Sequence, residues 1–319
     1  MRQARTFWRG LGAFLIEPVY PRFALSITES QLVLLSLRYQ QQEFSLRQVA
    51  TTSLPVGMLE AGFVRPNIFE EDHFCQLLGR LPEEAGVKNL RRLSVSLPAT
   101  SARSYVVTLD AEPRSRAEAA QLLDWKIERV SGYPTDELQI SRMALPAIDG
   151  RTHWLVSVVH RSVLGQYEAL FARLGWEVGL IVPRHLAEVL WLTRASTEGD
   201  QMLVSPTRQG VEVVILRGSH PILIRELDCS EEEMANEFYR LVIFYRDRLI
   251  SEGGASSLFR LLVMGSAADQ QRYRDLVGAA LERPVVALTP AQLGLRLEPG
   301  MAFSQVGSAA GLASCAWPA

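Results

Sequence analysis

Two stretches of this chain read as the same supersecondary unit, and that repetition limits the fold more than any other feature. Residues 24–37 read ALSITESQLVLLSL and residues 202–216 read MLVSPTRQGVEVVIL. Each is a short apolar run, a polar turn and a longer apolar run, the pattern of a strand, a tight turn and a second strand. A third strand-like run follows in both copies, at 44–51 and at 221–226. A helix and a buried strand come next: 70–81 and 93–97 in the first copy, a long helix from Ser230 and 258–264 in the second. Further along, 268–281 reads as a helix and 284–288 as a last strand. A chain of 319 residues has room for about two such units.

The first copy carries extra α/β material. Ser115 and Glu118 have capping-box spacing at the start of a helix over 115–130, and Gly132 ends it. Strands at 138–144 and 154–160 lead to a helix over 162–174, whose Val163, Tyr167, Leu170, Phe171 and Leu174 fall on one stripe. A strand at 178–182 and a helix around 187–192 follow. The polar, glycine-containing segment Glu198–Asp200 is the best break between halves. The fold class is therefore α/β: a duplicated mixed sheet with flanking helices and an inserted α/β subdomain. The division expected is an N-terminal extension over 1–22, a first half over 23–98 and 182–198, the insertion over 99–181, and a second half over 199–319.

Composition excludes several functions. The net charge of -2 gives no basic excess to neutralise a nucleic-acid backbone, so no nucleic acid is expected as a partner. The three cysteines, Cys75, Cys229 and Cys315, are too scattered for a zinc site or a disulfide framework, which fits a reducing compartment. No apolar run reaches the roughly 20 residues that span a bilayer, and the first apolar stretch lacks a signal-peptide cleavage pattern. Arg2, Arg5 and Arg9 alternate with Phe7, Trp8, Leu11, Phe14 and Leu15. That pattern suits an interfacial helix on an anionic membrane, with Phe7, Trp8, Leu11 and Leu15 as the lipid contact. A terminal helix docked on the body is the simpler reading.

No catalytic or metal-binding constellation assembles from the residues. The acidic run Asp228–Glu233 sits where carboxylates complement a helix N-terminus behind Ser230. His153 and His160, seven apart on one strand, fall on opposite faces. His73 and Cys75 diverge on a helix. Gly307 and Gly311 lack the lysine and the preceding strand of a phosphate loop.

The order and spacing of these elements resemble a family. LLDWKIERVSGYPTDELQIS, from Leu122, and HWLVSVVHRSVLGQYEALFARLGWEVGLIVPRHLAEVLWL, ending at Leu192, are similar to the inserted region of the actin-like PilM proteins of type IV pilus assembly. The wider group includes the cell-division protein FtsA, and the resemblance extends over about 23–312. It implies an actin-like, duplicated ribonuclease H-like fold and a cytoplasmic protein peripheral to the inner membrane. It implies as partners the N-terminal cytoplasmic peptide of a PilN-type membrane protein, bound in a groove near the insertion, and other proteins of the pilus platform.

The resemblance breaks down at the nucleotide. Where the family has an acid and a glycine in the first phosphate turn, this chain has Ser26 and Thr28; five positions beyond, Val33 replaces a basic residue. Ser205 and Thr207 replace the acid and glycine of the second turn. The segment resembling the adenosine motif, VMGSAA, keeps Gly265 but has Ser266 for a second glycine. Loss of the acids removes the usual hold on Mg²⁺, and a Cβ stands where phosphate approaches the backbone. The reading is a scaffold without ATP hydrolysis, a pseudo-ATPase with no cofactor and no metal. Its alternatives are an active actin-like ATPase or kinase-like enzyme, which needs those acids, and an FtsA-like division tether, which needs a basic tail that GSAAGLASCAWPA does not provide.

Overall fold

The computed structural model describes residues 19–109, 115–148, 151–195, 199–250 and 258–317. The N-terminal positions Phe7, Trp8, Leu11 and Leu15 lie outside them.

Both repeated units fold as antiparallel meanders with a parallel strand added. In the first, β1 (Phe23–Ile27), β2 (Gln31–Gln40) and β3 (Glu43–Ser53) form the meander, and β4 (Arg92–Leu97) lies parallel to β1. In the second, β9 (Asp200–Pro206), β10 (Gly210–Arg217) and β11 (His220–Asp228) form the meander, and β12 (Leu258–Val263) lies parallel to β9. β8 (Glu177–Pro183) and β13 (Leu295–Arg296) extend the first sheet to the order β13-β3-β2-β1-β4-β8; the second is β11-β10-β9-β12. A third sheet, β5-β7-β6, comprises β5 (Ala102–Leu109), β6 (Leu138–Ile148) and β7 (Arg151–His160), antiparallel throughout.

Seven α-helices cover these sheets among the described residues: α1 (Glu71–Glu84), α2 (Arg116–Ser131), α3 (Arg161–Arg173), α4 (Arg184–Ala195), α5 (Glu231–Phe244), α6 (Ala267–Leu281) and α7 (Phe303–Ser314). The central strands are apolar on both faces, because both faces are covered. In β2, Leu32 and Leu34 pack with α1 and α3, while Val33 and Leu35 face α4 and α7. In β10, Val211 and Val213 pack with α5 and α6, while Val214 and Leu216 face α4 and α7. The layers therefore run α1/α3, first sheet, α4/α7, second sheet, α5/α6. α2 covers the third sheet through Leu123 and Ile127.

Local chemistry sets the helix ends. The Ser115 hydroxyl accepts from the Glu118 backbone N–H at 3.1 Å, and Gly132, with φ 80°, closes α2 in the left-handed conformation. Ser230 behaves differently: its hydroxyl donates to the Glu233 carboxylate at 2.9 Å and does not cap the backbone. After Phe244 the helix continues as a π-helical segment, Tyr245–Ile250, which keeps Tyr245 in the core. The strand expected at 284–288 reduces to one parallel bridge between Ala287 and Leu261.

Two of the expected boundaries need correction. The insertion does not run over 99–181. β8 pairs in parallel with β4, and α3 sends Val163, Tyr167, Leu170 and Phe171 into the core under the first sheet, beside Phe74 and Leu78. The separate subdomain is the third sheet with α2, from β5 to β7. Nor does the second half hold everything from 199 to 319. β13 pairs with β3, and α7 packs against α4, β1, β2 and β4. The chain returns to the first half because α7 is apolar nearly all round and needs cover from both sheets.

Candidate functional site: the interdomain cleft and the insertion groove

The two repeated turns meet across a cleft. Thr28, in the β1–β2 turn, and Thr207, in the β9–β10 turn, both line a cavity of about 450 Å³ between the halves. Ser26 and Ser205 do not line it. They are strand residues, 2% and 0% exposed, in the first and second sheets. The Thr28 hydroxyl donates to the Gln31 carbonyl and accepts the Gln31 N–H, both at 3.0 Å, so it closes its own turn. Val33 is buried against α4 and α7 and brings nothing to the cleft.

Gly265 and Ser266 are also not among the cleft-lining residues. They begin α6. The Ser266 hydroxyl accepts from the Asp269 N–H at 3.2 Å, and the Asp269 carboxylate accepts from the Ser266 N–H at 2.8 Å, a complete capping box. A Cβ on Gly265 would lie 2.5 Å from the Asp269 Cβ. The glycine is thus accounted for by the cap, and a carboxylate already occupies the helix N-terminus. Sequence reading missed Asp269, although Ser266 and Asp269 have the spacing of a cap.

The charged residues lining the cleft are ones the sequence reading did not single out: Glu29, Arg184 and Arg208. Glu29 and Arg208 each directly follow the threonine of their turn, so aligning the two copies, SITE and SPTR, would have found them. The Glu29 carboxylate accepts from the Ala61 N–H at 2.9 Å and lies 3.8 Å from the Arg208 guanidinium. Arg184, at the start of α4, donates to Glu188 at 2.7 Å. Burial disfavours the Arg184 charge, but the Glu188 carboxylate outweighs it and raises the pKa. A single carboxylate facing a guanidinium is a poor holder of a divalent cation. These residues do not fit a metal–nucleotide complex of the usual actin-like kind.

A second concavity, about 240 Å³, lies between the first sheet and the insertion. Ile181, Val182 and Pro183 of β8 form one wall, Gln139 and Ser141 of β6 and Ser157–Val159 of β7 the other, and Leu164 and Glu168 of α3 also line it. β8 and β6 are the outer strands of their sheets, so each leaves one row of backbone groups free for a further strand.

The remaining sequence candidates separate as expected from spacing. His153 bonds Thr108 at 2.9 Å, whereas His160 accepts the Ser162 N–H and lies 3.5 Å from Glu137. His73 bonds Glu70 at 3.2 Å. Among the described residues no group of three histidine, cysteine or acidic side chains is placed to hold a metal ion, and no helix is long and apolar enough to cross a membrane.

No family model and no curated protein matches the sequence. Solved structures do match the fold. A chain of the PilM–PilN type IV pilus biogenesis complex superposes with a TM-score of 0.71 at 16% identity, over 92% of this chain and 98% of that one. A Bacteroides thetaiotaomicron protein with an actin-like ATPase fold and unknown function gives 0.49 at 11% identity, over 85% and 92%. The cytoplasmic domain of EpsL, an inner-membrane component of the type II secretion system of Vibrio cholerae, gives 0.48 at 12% identity, over 85% and 92%. The chain has the actin-like fold, and the arrangement of its sheets is PilM-like.

Proposed function

We propose that this chain is a scaffold of the type IV pilus inner-membrane platform. It holds the N-terminal cytoplasmic peptide of a PilN-type membrane protein and does not hydrolyse ATP. The observation that carries the reading is the groove between β8, β6, β7 and α3: a concavity of mixed apolar and polar lining, flanked by two outer strands, suits an extended peptide, which adds main-chain hydrogen bonds to an open edge and seats alternate side chains below. The structural likeness to a chain from a PilM–PilN complex supports the choice of partner. The turn chemistry supports the absence of hydrolysis, since Thr28, Thr207 and Arg208 offer the cleft no second carboxylate beside Glu29.

Calorimetry tests both statements on one preparation. A synthetic PilN-type N-terminal peptide is expected to bind with micromolar affinity. Leu164→Glu, at a half-buried position in the groove, is expected to weaken it at least about tenfold, or roughly 1.4 kcal/mol. ATP with Mg²⁺ is expected to give no measurable heat. Peptide binding indifferent to Leu164→Glu removes the groove, and micromolar ATP binding with turnover restores the enzyme reading.

The same reading places the protein at the cytoplasmic face of the inner membrane, with other platform proteins and with Phe7, Trp8, Leu11 and Leu15 toward lipid. Each arginine near an anionic surface contributes about 1 kcal/mol. Deleting residues 1–16 is expected to lower co-sedimentation with anionic vesicles, and unchanged sedimentation would withdraw the lipid contact.

A further inference from the structure

The cleft and the insertion groove both lie where β1, β4 and β8 finish, at one end of the first sheet. The other end carries a different chemistry. β1 runs parallel to β4, β4 runs parallel to β8, and β2 is antiparallel to both β1 and β3. The starts of β1, β3, β4 and β8 and the finish of β2 therefore share that end. Arg22 precedes β1, Arg38 is near the finish of β2, Lys88 and Arg91 lead into β4, Arg92 opens it, and Arg296 of β13 lies beside Ser45 of β3. All six are exposed. The carboxylates at the first positions of β3 and β8 answer two of them: Glu43 bonds Arg296 at 2.8 Å, and Glu177 stands 3.8 Å from Arg92. Arg22, Arg38, Lys88 and Arg91 have no ion-pair partner among the described residues, in a chain whose net charge is -2.

Aromatic rings sit among these cations. Trp317, half-buried beyond α7, lies 5.6 Å from the Arg22 guanidinium and 6.3 Å from the ring of Tyr39, which is half-buried in turn. Tryptophan and tyrosine beside lysine and arginine is the composition of a membrane–water boundary: the amphipathic rings settle at headgroup depth and the cations meet phosphates. The chain also enters the fold here. Pro21 is buried beside Gly179 of β8, where a Cβ would stand 3.0 Å from the proline ring, and Val19 is 69% exposed. The sequence before Val19 repeats the chemistry of this end, with Arg2, Arg5 and Arg9 among Phe7, Trp8 and Leu11.

We propose that this end of the first sheet is a lipid-docking face, which lies on an anionic bilayer with Arg22, Arg38, Lys88 and Arg91 at the headgroup phosphates and Tyr39 and Trp317 at the boundary. The face rests on the membrane placement proposed above and extends it from residues 1–16 to the folded body. It also fixes the orientation of the molecule. The cleft and the insertion groove then open away from the bilayer, because they lie at the opposite ends of the same strands. The seven residues of β8 separate the docking face from the far end of the groove, at about 3.3 Å per residue. A peptide tethered in the membrane must therefore cross roughly 20 Å of extended chain before it can fill the groove. The attraction is electrostatic in its long-range part, so it weakens as salt shortens the screening length.

Vesicle co-sedimentation of the full chain tests the face. The wild-type protein is expected to bind phosphatidylcholine vesicles that contain about 30% phosphatidylglycerol and not to bind pure phosphatidylcholine. Raising the salt from about 0.05 M to about 0.5 M should release it. The double variant Arg38→Glu, Arg91→Glu changes two exposed side chains without ion-pair partners and should lose at least about tenfold in apparent affinity. Arg240→Glu with Arg274→Glu, on α5 and α6 of the second half, makes the same change in net charge and should bind nearly as the wild type does. Calorimetry with the PilN-type peptide should give the same affinity for both double variants, so loss of the lipid face and loss of the peptide groove are read separately. Wild-type binding that is absent, that ignores phosphatidylglycerol or that survives high salt would overturn the face. So would an Arg38→Glu, Arg91→Glu variant that binds as tightly as the wild type, or a control variant that loses as much.

Discussion

Gly311→Val is expected to leave no folded protein, and Gly311→Ala to cost about 3 kcal/mol or more. Helix α7 crosses α4 at Gly311 with the two backbones in contact. A Cβ there would stand 2.1 Å from the Ala187 carbonyl oxygen and 3.3 Å from the Trp191 indole nitrogen. Backbone cannot give way as a side-chain tip can, so the helices must separate. Separation disturbs the layer that both large sheets share, including Trp191, which donates to the Gly307 carbonyl at 2.8 Å. Two other helical glycines supply the contrast. At Gly307 the nearest obstruction is the Met264 methyl group, the far end of a flexible side chain, so alanine there should cost much less. At Gly165, exposed on α3, nothing lies within 4 Å, and alanine should stabilise by roughly 0.5–1 kcal/mol. Denaturant midpoints of the three alanine variants should fall in the order Gly165, Gly307, Gly311. An unperturbed Gly311→Ala would mean that α4 and α7 do not cross here.

Asp200→Ala is expected to destabilise the second half by about 3 kcal/mol. Asp200 is fully buried at the first position of β9. Its carboxylate accepts two hydrogen bonds from Arg217, its β10 register partner, each at 3.0 Å, and one from the Tyr245 hydroxyl at 2.8 Å. Arg217 also donates to the Leu249 carbonyl at 2.9 Å, so one carboxylate joins the start of β9, the end of β10 and the π-helical segment. Alanine removes the acceptor of the Tyr245 hydroxyl and the carboxylate that balances the Arg217 charge, on a side chain only 24% exposed. Asp200→Asn keeps an acceptor and should lose roughly half as much. Burial and the neighbouring Asp200 charge push the Tyr245 hydroxyl pKa upward, so ionisation of the phenol does not compete with the bond. Thermal unfolding followed at β9–β12 by hydrogen exchange reads the loss directly, and a variant as stable as the parent would show that the cluster adds nothing net.

Much of this architecture was legible because it is local. The meanders at 23–51 and 202–226 announce themselves by apolar runs broken at short polar turns. The stripe from Val163 to Phe171 marks the buried face of α3, and Ser115 caps the helix its spacing suggested. What the sequence hid depends on pairing between distant segments. Nothing in residues 177–183 says that they will lie beside 92–97, and an apolar strand after a helix fits either sheet. The small residues of α7 gave no sign of which half they would join, since close packing against α4 is a property of the partner backbone.

The candidate site divides in the same way. Thr28 and Thr207 were found because a turn is local, and the structure brings them to one cleft. Ser26 and Ser205 are strand residues instead, and both are buried because β1 and β9 are covered on both faces. Ser266 was read as part of an adenosine motif, whereas the spacing to Asp269 makes it a helix cap. Glu29 and Arg208 were passed over because each alone is an ordinary turn charge; their meaning appears only when the two turns face each other. The groove residues come from β6, β7, β8 and α3, and no sequence pattern joins them.

Hydrogen exchange of the full chain, with and without a synthetic PilN-type N-terminal peptide, measures binding and its place together. The expected result is slower exchange confined to β8, Glu177–Pro183, and β6, Leu138–Ile148, the outer strands whose backbone groups an added peptide strand would engage. Protection at the β1–β2 and β9–β10 turns instead, or no protection at a saturating peptide concentration, would contradict the peptide-holding scaffold.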